Sequence, residues 1–171
     1  EETSYTDELV SAVIKFQVMH DISNTGNVGQ QTWSALFSDS AKNMVSDYEY
    51  SQILANYEAM KVQRAEATEQ MNQLTVKASS TASKGAMNLT WSSSSSVLDI
   101  DSVQIDGYEL WKSTSKSSGW QLLKSTTGKK FKNTSNIKKG TRYYYKVRAY
   151  REIGGQKIYS PWSNVTYKIA K

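Results

Sequence analysis

The spacing of hydrophobic residues changes near Leu74. Before that residue apolar side chains recur at helical intervals, and after it they alternate with polar ones, as in strands with one buried and one solvated face. The pattern predicts an α then all-β multidomain layout. A helical part is expected over residues 1–40, a long connecting helix over 41–73 and a β-sandwich over 74–171.

The strongest strand pattern lies between Ile137 and Tyr150 and follows a turn at Lys139-Gly140. One face of this strand consists of Tyr143, Tyr145, Val147 and Ala149. The other face carries Tyr144, Lys146, Arg148 and Tyr150. A tyrosine three residues after such a turn can bond its hydroxyl to upstream backbone, as in the tyrosine corner of sandwich domains. We therefore predict that the Tyr143 hydroxyl is bonded to the backbone.

Turn residues separate further predicted strands, and the set covers residues 74–79, 86–91, 104–112, 120–124, 130–134, 141–151 and 159–169. Three segments within it, Leu89-Thr90-Trp91, Gly107-Tyr108-Glu109-Leu110 and Tyr159-Ser160-Pro161-Trp162-Ser163-Asn164, complete a resemblance to the immunoglobulin-like fibronectin type III domain. The lysine-rich, cysteine-free version resembles those attached to cell-surface proteins of Gram-positive bacteria. The resemblance implies an extracellular module that spaces or displays its neighbours and seldom catalyses.

In the helical part, the pattern predicts one helix over residues 4–19, capped by Thr6, and a break at Asn24-Thr25-Gly26-Asn27. A short second helix is predicted over residues 31–37, anchored by Trp33, Leu36 and Phe37. Its pattern consists of Tyr5, Val13, Phe16-Gln17, Thr25-Gly26, Val28, Thr32-Trp33 and Leu36. This pattern resembles the last two thirds of the small helical peptidoglycan-binding domain of bacterial wall hydrolases. The resemblance implies peptidoglycan contacts near Gln17, Asn24, Asn27 and Trp33, with packing as the alternative role for Gln17 and Trp33.

The family's first helix, which would precede Tyr5, is missing from this sequence. Apolar side chains including Leu9, Val13 and Phe16 are therefore expected to need another cover. Either the helix around residues 48–60 folds back over them, or two copies pack together as a homodimer. The narrow apolar stripe of the long helix favours the dimer.

That long helix is predicted from about Ser46 to Gln73, because residues 41–72 contain neither glycine nor proline. A serine or aspartate is expected to cap it. Its thin apolar stripe consists of Met44, Tyr48, Ile53, Tyr57, Met60 and Met71. We interpret it as a connecting helix, with a partner-binding or coiled-coil helix as the alternative.

Charge divides the chain in the same place. Residues 1–77 carry five basic and eleven acidic side chains, whereas residues 78–171 carry sixteen basic and five acidic ones. Cysteine is absent, which excludes disulfides, thiolate metal sites and cysteine nucleophiles. No apolar run approaches the roughly eighteen residues that span a bilayer, so we expect no membrane span.

Candidate catalytic and metal-binding groups are few, and we expect neither enzymatic activity nor a cofactor. His20 is the only histidine and lies at a predicted helix end, where a solvated role is favoured. Asp99, Asp101 and Asp106 lie close together, but their spacing lacks the glycine and distal glutamate of a calcium loop. We therefore interpret them as solvated loop carboxylates, with a weak calcium site as the alternative.

A more promising surface combines aromatic and cationic residues on the outward face of the sandwich: Trp111, Tyr144, Lys146, Arg148, Tyr150 and Trp162. These groups are expected to interleave as an internal cation–π ladder, or to form a platform for a glycan or an anionic wall polymer such as teichoic acid. The leading functional hypothesis is a non-catalytic cell-wall module that binds peptidoglycan. An accessory region of a peptidoglycan hydrolase, or an adhesion module using the basic sandwich face, are the alternatives.

Overall fold

The computed structural model describes residues 7–38 and 46–171, so the predicted roles of Tyr5, Thr6 and Met44 lie outside the described residues. The chain divides into two compact units, residues 1–62 (the helical unit) and 63–171 (the sandwich unit). The described helices are α1 (Asp7–Met19), α2 (Gln30–Leu36) and α3 (Asp47–Asn72). The described strands are β1 (Thr75–Ser83), β2 (Ala86–Ser94), β3 (Gly107–Ser113), β4 (Gln121–Thr126), β5 (Lys130–Asn133), β6 (Arg142–Ile153), β7 (Gln156–Tyr159) and β8 (Thr166–Ile169).

In the helical unit, the turn between α1 and α2 depends on Gly26. Its φ of +74° lies in the left-handed region, and a Cβ atom there would come within 2.8 Å of Val10 Cγ1. Glycine therefore serves both the turn and its close approach to α1. At the start of α2, Gly29 is extended and its carbonyl accepts the first helical bond from Trp33 N at 2.9 Å.

Ser46 and Glu49 form a capping box at the start of α3. The Ser46 hydroxyl accepts from Glu49 N at 3.3 Å, and Glu49 Oε2 accepts from Ser46 N at 3.0 Å. The first part of α3 lies in the helical unit, where Tyr57 is buried and donates its hydroxyl to Ile22 O at 3.4 Å. Tyr57 thus contacts the turn after α1, whereas Leu9, Trp33 and Leu36, which a fold-back was expected to cover, are exposed. Both the fold-back and the homodimer therefore stay predictions.

The sandwich unit consists of two antiparallel sheets. One has the order β1-β2-β5, and the other has the order β4-β3-β6-β7, with β8 also paired to β6. Three strands in one sheet facing five in the other, in this order, form an immunoglobulin-like sandwich of the fibronectin type III kind. The predicted α then all-β fold class is confirmed.

The core lies between the two sheets. Its largest fully buried side chains are Met71, Met87, Leu89, Leu110, Tyr145 and Val147. Trp91 contacts Tyr108 edge-on, with ring centroids 5.9 Å apart. Burial raises the pKa of Tyr145 to about 12, although its phenol oxygen accepts a hydrogen bond from Asn133 at 3.3 Å. The end of α3 belongs to this core because Met71 is buried in it.

The alternation predicted for the strand over residues 141–151 is confirmed in β6, where burial follows every second residue from 143 to 149. Tyr143 is 4% exposed, and its hydroxyl donates to Asn136 O and accepts from Lys138 N, both at 3.0 Å. The tyrosine corner is therefore present and satisfies two backbone groups of the turn before β6.

The predicted strand over residues 159–169 is interrupted, because Pro161 has no backbone N–H to donate. The hydroxyls of Ser160 and Ser163 accept from Ala149 N and Val147 N of β6, each at 2.9 Å. Serine side chains thus take the place of strand carbonyls across the gap. Within the same gap, the Asn164 amide accepts from Ala78 N at 2.9 Å and donates to Ala78 O at 3.0 Å, which attaches β1 to this segment.

We predict that Tyr143→Phe lowers the free energy of unfolding by about 1 kcal/mol or somewhat more, because Lys138 N loses its acceptor. Tyr144→Phe is the matched control on the opposite face of β6 and should cost far less. Chemical denaturation compares the two variants, and equal midpoints would contradict the assigned role of the corner.

Candidate functional site

Gln17 is the polar centre of the helical unit and is 1% exposed. Its Nε2 donates to Asn27 O at 2.7 Å and to Thr32 Oγ1 at 2.9 Å, while its Oε1 accepts from Gly26 N at 3.0 Å. These bonds join α1 to the turn and to α2. A buried amide whose hydrogen bonds are satisfied specifies one arrangement of the segments around it.

An open cleft of about 260 Å³ lies beside this amide. Its lining consists of Gln17, Ser23, Thr25, Asn27, Gly29, Gln30, Gln31 and Thr32. Amide and hydroxyl groups dominate that set, and they can both donate and accept hydrogen bonds. Of the predicted peptidoglycan contacts, Gln17 and Asn27 line the cleft, whereas Asn24 and Trp33 lie outside its lining.

The apolar anchors predicted for α2 are largely exposed to solvent. Trp33, Leu36 and Phe37 are 57%, 47% and 70% exposed, so the prediction that they anchor the helix is wrong for this part of the chain. Thr32 is the buried residue of α2, because its hydroxyl serves the Gln17 amide. Trp33 and Phe37, one turn apart, cover each other with ring centroids 4.9 Å apart.

His20 lies just after α1, and its ring is half-buried against Phe16 with centroids 4.4 Å apart. The sequence predicted a solvated helix end at this position. Phe16 lies four residues earlier, so the imidazole stacks on the preceding turn of α1.

Two of the three loop aspartates, Asp99 and Asp106, accept hydrogen bonds from nearby chain segments. Asp99 accepts from Asp101 N at 3.2 Å, and Asp106 accepts from Gln104 Nε2 at 2.9 Å and Glu152 N at 2.7 Å. The bond from Glu152 and then that from Gln104 lower the pKa of Asp106 below its usual value. Among the described residues, no group of three acidic or histidine side chains is placed to hold a metal ion.

On the sandwich, Glu109 is a buried carboxylate at the centre of the outward face of β3 and β6. Its Oε2 accepts from Arg148 Nε at 3.1 Å and Arg148 Nη2 at 2.8 Å, and its Oε1 accepts from the Tyr159 hydroxyl at 3.0 Å. Trp111 Nε1 at 3.3 Å and Lys157 Nζ at 3.5 Å complete the set of donors. Burial raises the pKa of Glu109, but these hydrogen bonds, led by Arg148, outweigh burial and hold it below its usual value.

The cations next to Glu109 lie against aromatic rings. Arg148 Cζ is 3.4 Å from the centroid of the Tyr159 ring and 4.5 Å from that of Trp162, and Lys146 Nζ is 3.9 Å from Trp162 and 4.7 Å from Trp120. We call this set the cation–π ladder. Each such contact contributes roughly 0.5–1 kcal/mol at exposed sites. Burial, and then the charge of Arg148, lowers the pKa of Lys146.

The structure brings together five of the six residues predicted as an aromatic and basic platform: Trp111, Lys146, Arg148, Tyr150 and Trp162. Tyr150 joins this group through the Tyr159 ring, with centroids 6.4 Å apart, whereas Tyr144 lies apart from it. Tyr144 pairs with Tyr167, with ring centroids 5.5 Å apart, and Tyr150 covers Gly107, where a Cβ atom would come within 2.7 Å of the Tyr150 hydroxyl. Both cations of the predicted platform, Lys146 and Arg148, thus lie against rings of the same sandwich.

Sequence reasoning missed Glu109, Trp120 and Tyr159. A signal for Glu109 was present, because residues two apart on a strand share a face and Glu109 is two before Trp111. Trp120 joins the ladder from the turn before β4, and Tyr159 joins it as the last residue of β7. Their alignment with β6 depends on turn geometry, which alternation along one strand does not reveal.

No family model matches this chain, and no curated protein matches it either. Similar solved structures include an Fn3-like protein from Clostridium thermocellum, with 21% identity, 56% of this chain and 88% of that chain covered, and a TM-score of 0.40. A human fibronectin type III domain has 20% identity, coverage of 75% and 85%, and a TM-score of 0.46. Pectate lyase Pel3 from Pectobacterium carotovorum has 16% identity, coverage of 55% and 26%, and a TM-score of 0.43.

The chain thus spans about a quarter of that lyase. All three likenesses have low identity and TM-scores below 0.5. The fold assignment therefore rests on the strand order and on the tyrosine corner. Among the described residues, no helix has the length and apolar character needed to cross a membrane.

We predict that Gln17→Met destabilises the helical unit by about 1–3 kcal/mol, because Gly26 N and Asn27 O lose their buried partner while the side-chain volume is kept. Gln31→Met, on the exposed side of α2, is the control. Native-state hydrogen exchange of amides in α1 and α2 measures the effect. Unchanged protection in Gln17→Met would contradict the structural role of this amide.

We predict that Glu109→Gln lowers the free energy of unfolding by about 2–3 kcal/mol at neutral pH, because Arg148 loses its buried counter-charge. Since the pKa of Glu109 is depressed in the folded state, its contribution is present above the unfolded value of about 4.3 and is lost as the pH falls through the folded value.

The stability difference between wild type and Glu109→Gln should therefore shrink below about pH 4, as measured by urea denaturation across a pH series. Glu152→Gln, at an exposed position of β6, serves as the control. A difference that stays constant with pH would show that the charge of Glu109 is not the source of the effect.

Proposed function

We propose that this chain is a non-catalytic binding and display module of a bacterial cell wall or cell surface. In this proposal the helical unit binds peptidoglycan, and the sandwich unit spaces or displays the neighbouring parts of its parent protein. The polar cleft beside Gln17 is the observation that carries the proposal. The fibronectin-like strand order supports the display role, since this architecture serves many unrelated binding and spacing functions.

The cleft suits a glycan or peptide strand for two reasons. Gln17 is held by internal bonds, so the floor of the cleft is preorganised and costs little to order on binding. Asn27, Gln30 and Gln31 are exposed, so their side-chain amides can face a ligand. Amides suit the hydroxyl and acetamido groups of amino sugars, because they supply donors and acceptors together.

The test is co-sedimentation of the full chain with purified sacculi. We expect binding that is reduced at least about tenfold in the triple variant Asn27→Ala, Gln30→Ala, Gln31→Ala, since each lost hydrogen bond is worth about 0.5–1.5 kcal/mol. The matched control replaces exposed amides of α3, in Asn56→Ala, Gln52→Ala, Gln63→Ala. Equal binding by both variants would overturn the assignment of the cleft, and clearing of a wall suspension by the purified chain would overturn the non-catalytic role.

A further inference from the structure

The two outer faces of the sandwich unit differ in how many of their cationic side chains already have internal partners. On the face of β3 and β6, Arg148 and Lys157 contact the Glu109 carboxylate, and Lys146 lies against Trp120 and Trp162. A ligand that recruited those cations would have to compete with these internal partners. If the basic residues of the sandwich unit bind an anionic ligand, the lysines that do so are therefore expected on another face.

The outer face of the other sheet carries lysines without such competition. Its outward residues are polar and include Lys77, Ser79, Thr81, Asn88, Thr90, Ser92, Lys130 and Lys132. Strands β1, β2 and β5 contain no acidic residue. Their outward side chains carry ammonium, hydroxyl and amide groups. Among the ion pairs of the described residues, none involves Lys77, Lys130 or Lys132.

Register places these groups in rows across the sheet. Ser79 pairs with Thr90 and Thr90 with Lys130, while Thr81 pairs with Asn88 and Asn88 with Lys132. Lys130 and Lys132 are about 7 Å apart along β5, and Lys77 lies two strands away, about 10 Å across the sheet. A shallow depression of about 320 Å³ runs between β2 and β5, and both Lys130 and Lys132 line it.

We propose that this lysine and hydroxyl face binds a linear phosphodiester polymer of the poly(glycerol phosphate) class. Lysines neutralise successive phosphates, and the flanking hydroxyl and amide groups donate hydrogen bonds to phosphate oxygens. Trp91 is buried in the core, and Phe131, which also lines the depression, packs against that core, so β1, β2 and β5 offer no exposed ring on which a base can stack. A polymer without bases is therefore favoured over nucleic acid.

Lysines on edge strands can also serve to prevent pairing with other sheets, and β1 and β5 are the edges of this sheet. The two roles predict different results. Loss of an edge-protecting lysine increases aggregation and leaves polymer binding unchanged, whereas loss of a phosphate contact weakens binding and reduces its salt dependence.

The test is calorimetric titration of the full chain with poly(glycerol phosphate) between about 50 and 200 mM salt. We expect the triple variant Lys77→Gln, Lys130→Gln, Lys132→Gln to bind at least about tenfold more weakly at the low salt concentration. Its log–log salt slope should fall by about two, because each phosphate contact contributes about 0.7–0.9. The arginine triple at the same positions should retain binding.

The matched control removes three exposed lysines from other places, in Lys116→Gln, Lys139→Gln, Lys168→Gln, for the same change in net charge. An equal loss in both triples would overturn the site in favour of diffuse attraction. Tighter binding of a single-stranded oligonucleotide of matched charge would overturn the choice of polymer. Should the glutamine triple unfold, the pair Lys130→Gln, Lys132→Gln is tested, with a slope decrease of about one and a half expected and no decrease overturning the proposal. The polymer contains no peptidoglycan, so this outcome is independent of the function proposed for the cleft.

Discussion

The outward face of the larger sheet depends on one buried carboxylate. Glu109 lies on β3, and its two oxygens accept from donors on β3, β6 and β7. A charge of this kind is costly to bury unless every lone pair has a donor, and here the donors come from three strands. The carboxylate consequently holds Arg148 where the Tyr159 and Trp162 rings contact it. Without Glu109, Arg148 and Lys157 would lose their counter-charge on this face.

The helical unit also contains a buried polar side chain with satisfied hydrogen bonds, but this one is uncharged. Gln17 replaces what would be an apolar contact by three hydrogen bonds that reach the turn and α2. A polar group thus shares the interior of this small unit with apolar side chains such as Val18, while Trp33 and Phe37 stay exposed. A buried polar group favours one packing over others, because alternative packings would leave it unsatisfied.

Strand alternation was sufficient to predict the sandwich, since period-two burial in β6 and the offset of Tyr143 from its turn are local properties of the sequence. Long-range pairings were harder to predict. The contact of Tyr159 with Glu109 joins residues fifty positions apart, and the burial of Thr32 instead of Trp33 follows from a bond to Gln17. In the cleft, Gln17 and Asn27 could be named from a family resemblance, whereas Gln30 and Gln31 are adjacent to it only because the turn at Gly26 brings α2 back to α1.

The contact between Asn164 and Ala78 has a consequence for encounters between molecules. β1 forms one edge of its sheet, and an edge strand presents unpaired N–H and C=O groups to any extended segment that approaches. Asn164 occupies both groups of Ala78 with a side-chain amide that mimics a peptide unit. A foreign strand would have to displace that amide before it could pair there. Asn164 therefore blocks strand pairing at this point of the edge, which favours copies that remain separate at high protein concentration.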